Sequence, residues 1–150
     1  MSRTQTSAPA IEMRGVGFSR LSDASVPVAE DLNWRVELGD FWAVAGLHGS
    51  GKSDLLMLAG GVMAPTAGSY EFLGEAMPIF SDERLAHRLK LGLVFDGGRL
   101  FNHLTVAENI ALPLRYHRNL TPEEASPTVG ALLELTGLAA HAHRPPGELG

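Results

Sequence analysis

The apolar positions near the start of the chain predict two short strands. Ile11–Phe18 alternates loosely and changes phase at Gly15, which is the pattern of a strand with a bulge. Asn33–Leu38 alternates more cleanly, and the turn residues Gly39-Asp40 follow it. The second segment therefore predicts a half-buried antiparallel strand.

A buried strand, a loop and a helix are predicted next. Phe41–Ala45 is continuously apolar, which is the pattern of a strand covered on both faces. It runs into a glycine-rich segment, after which Asp54–Ala59 predicts a helix that ends at Gly60-Gly61. A further short strand, Ser69–Leu73, follows a turn. This order of elements is typical of an α/β protein.

The second half of the chain is predicted to be mostly helical. Ser81 can cap a helix with an acidic first turn, and Leu91–Phe95 predicts the strand after it. Two capping boxes then predict two more helices, and we expect Pro127 to restart or kink the last one. The capping boxes pair Thr105 with Glu108 and Thr121 with Glu124.

Composition narrows the class of protein. The chain has 150 residues, of which 45% are hydrophobic, enough for one domain with a real core. A net charge of -5 and scattered basic residues argue against a nucleic-acid partner. There is no cysteine, no signal-like start in Met1–Ala10, and no apolar run of about 18 residues. We expect a cytoplasmic protein with no direct insertion into the membrane.

The strongest motif is a phosphate-binding loop. GLHGSGKS matches G-x-x-x-x-G-K-[ST] and lies between a predicted buried strand and a predicted helix. Its backbone N–H groups and the helix N-terminus can bind phosphate oxygens. Lys52 would contact the β- and γ-phosphates as the catalytic residue, and the Ser53 hydroxyl would bind Mg²⁺. The predicted nucleotide-binding residues are Gly46, Leu47, His48, Gly49, Ser50, Gly51, Lys52 and Ser53.

These motifs together resemble the ATPases of ABC transporters. Besides the loop, Pro65–Gly68 is similar to the P-x-x-G turn of that family, and Leu91–Ile110 is similar to its Q-loop region and following helix. The resemblance covers nearly all of the chain from Ile11. It implies an α/β P-loop NTPase with a RecA-like core, an N-terminal antiparallel β subdomain and the start of a helical subdomain, incomplete at the C-terminus.

The resemblance also implies a division of the chain into parts. Residues 1–10 would be a flexible N-terminus. Residues 11–95 would hold the antiparallel β subdomain and the P-loop core. Residues 96–150 would hold the Q-loop region and part of the helical subdomain, all within one truncated ABC ATPase domain.

The function implied by the resemblance is that of a nucleotide-binding subunit. Such a subunit binds ATP with Mg²⁺ and couples ATP binding and hydrolysis to transport across a membrane. The expected partners are a second copy of the ATPase and a transmembrane subunit contacted through Asp96–His103. The protein would lie peripherally on the cytoplasmic face of the membrane. Within the family, Phe95–Leu114 is most similar to ATPases of lipid-trafficking importers of the Mla or Mce kind.

Three residues depart from the family pattern. Asp96 stands where the family has a glutamine that contacts Mg²⁺, and a carboxylate can still bind the ion; the alternative is a turn residue beside two glycines. Arg20 stands where an aromatic residue stacks on adenine, and a guanidinium can stack too, although a solvated surface arginine is the alternative. Asp54 stands where a second hydroxyl residue contacts the α-phosphate, so the resemblance places it, like Arg20, among the nucleotide-binding residues. Its charge predicts weakened ATP affinity; the alternative is a simple carboxylate at the N-terminus of a helix.

The end of the chain limits the expected activity. Pro145–Gly150 resembles the stretch that precedes the signature motif of the family, but the signature, the strand ending in Asp-Glu and a later histidine are not in the sequence. We expect part of a longer ATPase that alone binds Mg-nucleotide without hydrolysing it. Two alternatives remain open: a non-catalytic regulatory or interaction module that keeps the nucleotide pocket, and another P-loop enzyme such as a small-molecule kinase.

Overall fold

A computed structural model describes residues 8–79 and 81–149 of the chain. Most of the predicted flexible start, residues 1–7, lies outside the described residues. The chain divides into two units, residues 1–93 and residues 94–150. Within the described residues, no helix combines the length and the apolar character that a membrane crossing requires.

The first unit is built on a four-stranded antiparallel sheet that consists of β1 (Ile11–Ser19), β2 (Pro27–Val36), β3 (Ala67–Phe72) and β4 (Glu75–Ala76), in the spatial order β2-β1-β3-β4. Its central strands β1 and β3 each pair on both edges, which satisfies their backbone hydrogen-bonding groups. The predicted first strand and the short strand after the P-x-x-G-like turn are thus confirmed, and the second strand begins earlier than expected.

The predicted bulge in β1 is present at Gly15. Met13 pairs with Trp34 and Val16 with Leu32, so β1 uses one residue more than β2 between these two pairs. Gly15 has φ 58°, which glycine adopts without strain. The bulge restores the inward direction of Val16, which is fully buried.

One helix, α1 (Lys52–Ala59), packs on this sheet. It starts two residues before the predicted range and ends at Gly60, as predicted. The Tyr70 hydroxyl of β3 donates to the carbonyl oxygen of Ala59 at 2.5 Å, and burial raises the pKa of that hydroxyl. The buried core of this unit consists of Met13, Val16, Phe18, Leu58, Ala59, Met63, Tyr70, Phe72 and Met77.

Two predicted strands are wrong as assigned. Neither Phe41–Ala45 nor Leu91–Phe95 belongs to a strand, although all ten residues are described. The first run was expected to be covered on both faces, yet Phe41 is 94% exposed. A strand requires a hydrogen-bonded neighbour. The described part of the chain pairs no other strand with either run, because its one sheet uses only β1 to β4.

The helix predicted after Ser81 is much shorter than expected. A 3-10 turn, Asp82–Arg84, comes first, and α2 (Leu85–Arg88) follows. The N-cap of α2 is Arg84, without a side-chain capping bond. Ser81 therefore lies three residues before the cap position, because the tighter turn displaces the start of the helix.

The second unit contains α3 (Val106–Arg118) and α4 (Pro122–Leu135), followed by 3-10 turns at Ala139–His141 and Pro146–Glu148. Both predicted capping boxes are present and complete. The helix α4 runs through Pro127 without restarting. A proline this close to the first turn removes only one hydrogen bond of the helix. The buried core of this unit consists of Val106, Ala125, Val129 and Leu133.

Candidate functional site

The predicted phosphate loop ends directly at the start of α1. Gly51 is the N-cap of the helix and has φ 87°. A Cβ atom at Gly51 would collide with Cγ1 of Val28, and one at Gly46 would lie 2.8 Å from Oγ of Ser50. Glycine is therefore required at Gly51 by conformation and collision, whereas a side chain at Gly46 would require the Ser50 hydroxyl to move.

The Lys52 side chain turns back over the loop that precedes it. Its Nζ donates to the carbonyl oxygen of Gly46 at 2.9 Å and to that of Leu47 at 2.7 Å. An ammonium group carries three N–H donors, so these two carbonyls leave capacity for another acceptor. A phosphate oxygen that approached the loop would meet an ammonium group already held there.

The middle of the loop presents its backbone to solvent. Ser50 N–H donates to the carbonyl oxygen of Leu47 at 3.2 Å, which closes a turn through His48 and Gly49. All four of these residues are exposed. Successive backbone N–H groups in such turns form the concave anion sites found in phosphate loops.

The side chains beside the loop fit a magnesium ion that takes one ligand from the protein and most of its other ligands from a nucleotide and water. Ser53 is the second residue of α1 and its side chain is exposed. Across residues 8–79 and 81–149, no group of three or more His, Asp or Glu side chains could hold a metal ion. Mg²⁺ usually keeps several waters and takes one or two protein ligands plus phosphate oxygens. One hydroxyl beside the loop is consistent with that pattern.

Arg20 lies beside the phosphate loop. Its Nη2 donates to the carbonyl oxygen of Gly49 at 2.9 Å. A cavity of about 150 Å³ adjoins this contact. Arg20 is nevertheless an exposed residue, so the solvated surface arginine stays open as an alternative and the stacking role toward a base stays a prediction. The cavity is lined by Arg20, Pro27, Val28, Gly49, Ser50 and Gly51.

Asp54 has a structural partner that the sequence did not suggest. Its Oδ1 accepts a hydrogen bond from the backbone N–H of Leu21 at 2.9 Å. Asp54 is also in the first turn of α1, where the helix dipole favours a negative charge. Its carboxylate is therefore engaged by the turn that carries Arg20.

Asp96 belongs to the second unit and lies in a turn. Gly97 and Gly98 both have φ 70°, and Arg99, a non-glycine residue, has φ 51°. Asp96 itself is exposed. The turn geometry agrees with the structural alternative for Asp96, and its role as a magnesium ligand stays a prediction.

Asn109 was missed by the sequence reasoning. Its side chain accepts a hydrogen bond from the N–H of Phe101 at 2.9 Å and contacts the carbonyl oxygens of Phe101 and Thr105 at 3.1 and 2.9 Å. It thereby joins α3 to the end of the segment Asp96–His103. A signal was available, because asparagine is unfavourable inside a helix unless its side chain bonds to the backbone.

Comparison with known families decides the assignment. A profile described as ABC transporter matches residues 29–149, which is most of the chain. The chain belongs to the ABC transporter family. The match includes the phosphate loop, α1 and the helices of the second unit, and it confirms the resemblance seen in the motifs.

Curated relatives in the ABC transporter family are similar over nearly the whole chain. The Escherichia coli K12 protein "Intermembrane phospholipid transport system ATP-binding protein MlaF" is 36% identical over 146 residues, covering 97% of this chain and 53% of MlaF. "Macrolide export ATP-binding/permease protein MacB" of Syntrophobacter fumaroxidans is 35% identical over 133 residues, covering 87% of this chain and 19% of MacB. The chain thus spans about half the length of MlaF.

Solved structures show the same fold. The dimeric post-hydrolysis state of the ATP-binding cassette MJ0796, bound to ADP and Pi, superposes with a TM-score of 0.78 at 24% identity. That superposition covers 93% of this chain and 63% of the cassette. The fold is therefore that of a P-loop ABC ATPase cassette, as predicted.

Proposed function

We propose that the protein binds Mg-ATP through residues 46–53 as the nucleotide-binding subunit of an ABC transporter, and that it couples ATP binding and hydrolysis to transport across a membrane. The observation that carries the proposal is the Lys52 ammonium group, which is held over the loop by the carbonyls of Gly46 and Leu47. Family membership supports ATP as the nucleotide.

The backbone of the loop, Lys52 and Ser53 have three different roles in this proposal. The backbone N–H groups from Gly46 to Gly51 bind phosphate oxygens, and the N-terminus of α1 adds its positive dipole end. Lys52 contacts the β- and γ-phosphates as the catalytic residue, since its charge offsets theirs. Ser53 supplies a ligand to Mg²⁺, and the bound ion neutralises negative charge on the phosphates.

Two further positions contribute to the site in the same proposal. Arg20 presents a planar guanidinium group to the adenine base, supported by its contact with Gly49 beside the 150 Å³ cavity. For Asp96, the family pattern supports a role as an oxygen ligand to magnesium, in place of the glutamine of the family. Both roles rest on the family pattern and on the chemistry of the side chains.

The partners proposed are a second copy of the ATPase and a transmembrane subunit. The surface proposed for the transmembrane subunit is Asp96–His103, in which Leu100 is 54% and Phe101 50% exposed. Exposed apolar side chains on a segment fixed by Asn109 suit a protein contact. The protein would then lie peripherally on the cytoplasmic face of the membrane.

The similarity to MlaF supports phospholipid as the transported substrate. MlaF is described as part of an intermembrane phospholipid transport system and matches this chain over 146 residues. The similarity of Phe95–Leu114 to lipid-trafficking ATPases agrees with it. Transfer of labelled phospholipid that requires ATP and this protein would support the substrate class; ATP-dependent transport of other solutes alone would contradict it.

Magnesium-dependent nucleotide binding tests the proposed function. We expect calorimetry of the purified protein to show ATP binding that weakens when Mg²⁺ is chelated. Ser53→Ala should raise the Kd for Mg-ATP about tenfold, as expected for the loss of one ligand. Ser69→Ala, an exposed serine of β3, is the matched control. Equal ATP binding with and without Mg²⁺ in every variant would contradict the role of Ser53, and no binding at all would contradict the function.

A further inference from the structure

The first turn of α1 and the phosphate loop both form hydrogen bonds with the same short turn of the chain, residues 20–26. Asp54 Oδ1 accepts the N–H of Leu21 at 2.9 Å, and the neighbouring Arg20 donates to the carbonyl oxygen of Gly49 at 2.9 Å. Two adjacent residues of one turn therefore hold the nucleotide site at two points. One point is on the helix and the other is in the middle of the loop.

Hydrogen bonds within the turn hold it closed. Arg20 N–H donates to the carbonyl oxygen of Val26 at 2.9 Å, and Val26 N–H donates to that of Asp23 at 3.1 Å. The Ser25 hydroxyl and N–H both donate to Oδ1 of Asp23, and these bonds lower the pKa of that carboxyl. Arg20 and Leu21 are adjacent in this hydrogen-bonded turn, so a restraint on the Leu21 amide also limits the position of the Arg20 backbone.

The restraint on Leu21 comes from a rigid element. Asp54 is the third residue of α1, two positions after Lys52, and Leu55 N–H donates to the carbonyl oxygen of Gly51 at 2.9 Å. The carboxylate is thus carried by the same first helical turn that carries the lysine of the loop. Removing it would leave the Arg20–Gly49 contact without this support.

We propose that Asp54 is a positioning residue: by binding the Leu21 amide, it holds Arg20 against Gly49 and so sets the shape of the base-facing end of the nucleotide site. This inference rests on the proposed function, because it concerns the same site. It also changes the expected effect of Asp54 on affinity. The carboxylate repels phosphate by its charge, but it supports binding of the base through its hydrogen bond.

Substitutions at Asp54 separate the two effects. Asp54→Asn removes the charge and keeps an oxygen acceptor for Leu21, whereas Asp54→Ala removes both. Asp54→Thr removes the charge and shortens the side chain, so charge repulsion alone predicts tighter ATP binding while loss of the contact predicts weaker binding. Glu30→Ala removes one negative charge from an exposed position of β2 and is the control for net charge.

Hydrogen exchange and ligand comparison provide the readouts. In the purified protein, the Leu21 amide should exchange slowly in wild type and Asp54→Asn, and faster in Asp54→Ala and Asp54→Thr. The Kd for Mg-ATP should be about threefold to tenfold higher in Asp54→Ala than in Asp54→Asn, as for loss of one hydrogen bond. The Kd for Mg-bound inorganic triphosphate, which has no base, should not rise from Asp54→Asn to Asp54→Ala.

A double-mutant cycle with Arg20→Ala makes the test decisive. We expect Arg20→Ala to weaken ATP binding in the wild-type and Asp54→Asn backgrounds and to have little further effect in Asp54→Ala. The inference would be overturned if the changes in ATP-binding free energy caused by Arg20→Ala and Asp54→Ala were additive. It would also be overturned if the Leu21 amide hydrogen exchanged at the same rate in all variants. Tighter ATP binding by both Asp54→Ala and Asp54→Thr would overturn it as well. If the wild-type protein binds no ATP, the proposed function fails instead. If it binds ATP but the effects of Arg20→Ala and Asp54→Ala on the binding free energy are additive, only the positioning role of Asp54 is refuted.

Discussion

The ammonium group of Lys52 donates to the carbonyl oxygen of Gly46 at 2.9 Å, so the first side chain of α1 closes the loop that leads into the helix. The loop and the helix are thus joined both by the chain and by this hydrogen bond. A charged donor is thereby held beside the loop that we propose binds phosphate.

Substitution of Gly51 should damage the loop. Gly51→Ala places a methyl group against Val28 in a residue with φ 87°, so we expect ATP affinity to fall and the free energy of unfolding to drop by about 1–3 kcal/mol. Chemical denaturation and calorimetry measure the two effects. Gly92→Ala is the control, because nothing lies within 4 Å of a Cβ at that position.

A second substitution separates the two causes of the stability lost in Gly51→Ala, which are the collision with Val28 and the backbone strain. Val28→Ala removes the γ-carbons that the new methyl group would meet, so Gly51→Ala should cost less stability in a Val28→Ala background than in wild type. The backbone strain at positive φ would remain, so some cost should persist. Equal stability of Gly51→Ala and wild type would contradict the steric interpretation of the loop.

Asn109→Ala should loosen the segment proposed to face the transmembrane subunit. The substitution removes the acceptor of the Phe101 N–H and the donor to the carbonyl oxygens of Phe101 and Thr105. We expect faster hydrogen exchange of the Phe101 amide and weaker association with the transmembrane subunit. Asn102→Ala changes an exposed asparagine of the same segment and should change neither quantity. Unchanged exchange at Phe101 would refute the anchoring role of Asn109.

The capping box of α3 should make this helix sensitive to acid. Hydrogen bonds from the Thr105 N–H and hydroxyl hold the pKa of the Glu108 carboxyl below its usual value. A lowered folded-state pKa means that the ionised form stabilises the helix. That stability is present above the usual glutamate pKa of about 4.3 and is lost as pH falls through the lower folded-state value.

Glu108→Gln provides the comparison for this pH dependence. The glutamine keeps an oxygen for the Thr105 N–H but cannot titrate, so its α3 should lose less stability between neutral and acid pH than wild type. Amide exchange of residues in the first turn of α3, measured across that range, reports the difference. Identical pH profiles for the two proteins would show that Glu108 does not supply this part of the acid sensitivity.

Tyr70→Phe should destabilise the junction between β3 and α1. The variant leaves the carbonyl oxygen of Ala59 without the hydroxyl that binds it in a buried position. We expect a loss of about 1–3 kcal/mol in the free energy of unfolding, the usual effect of an unsatisfied buried acceptor. Tyr116→Phe is the matched control, because Tyr116 is 76% exposed and its substitution should have little effect.

Local sequence signals predicted the parts of the fold that depend on local chemistry. The phase change at Gly15 gave the bulge in β1, and the two T-x-x-E sequences gave the N-termini of α3 and α4. The capping boxes form from residues within a few positions of one another, and the glycine that marks the bulge is a local signal although the bulge itself lies in the pairing of β1 with β2. Patterns of this kind do not require knowledge of what packs against them.

Features that depend on distant partners were predicted less well. The apolar run Phe41–Ala45 indicates a buried strand only if other strands pair with it, and the described residues provide none. The contact between Asp54 and Leu21 spans 33 positions and joins a helix to a turn. No spacing rule brings such residues together, so the expectation for Asp54 rested on its charge and on its position after Ser53.

The most direct test is a calorimetric titration of the purified protein with Mg-ATP, comparing wild type with Lys52→Ala and Lys90→Ala. Both substitutions remove one lysine from the first unit, and Lys90 is exposed after α2. We expect Lys52→Ala to weaken binding about ten- to a hundredfold, as for loss of a charged hydrogen bond, and Lys90→Ala to bind like wild type. Equal affinities in all three proteins would contradict the placement of the nucleotide in the phosphate loop.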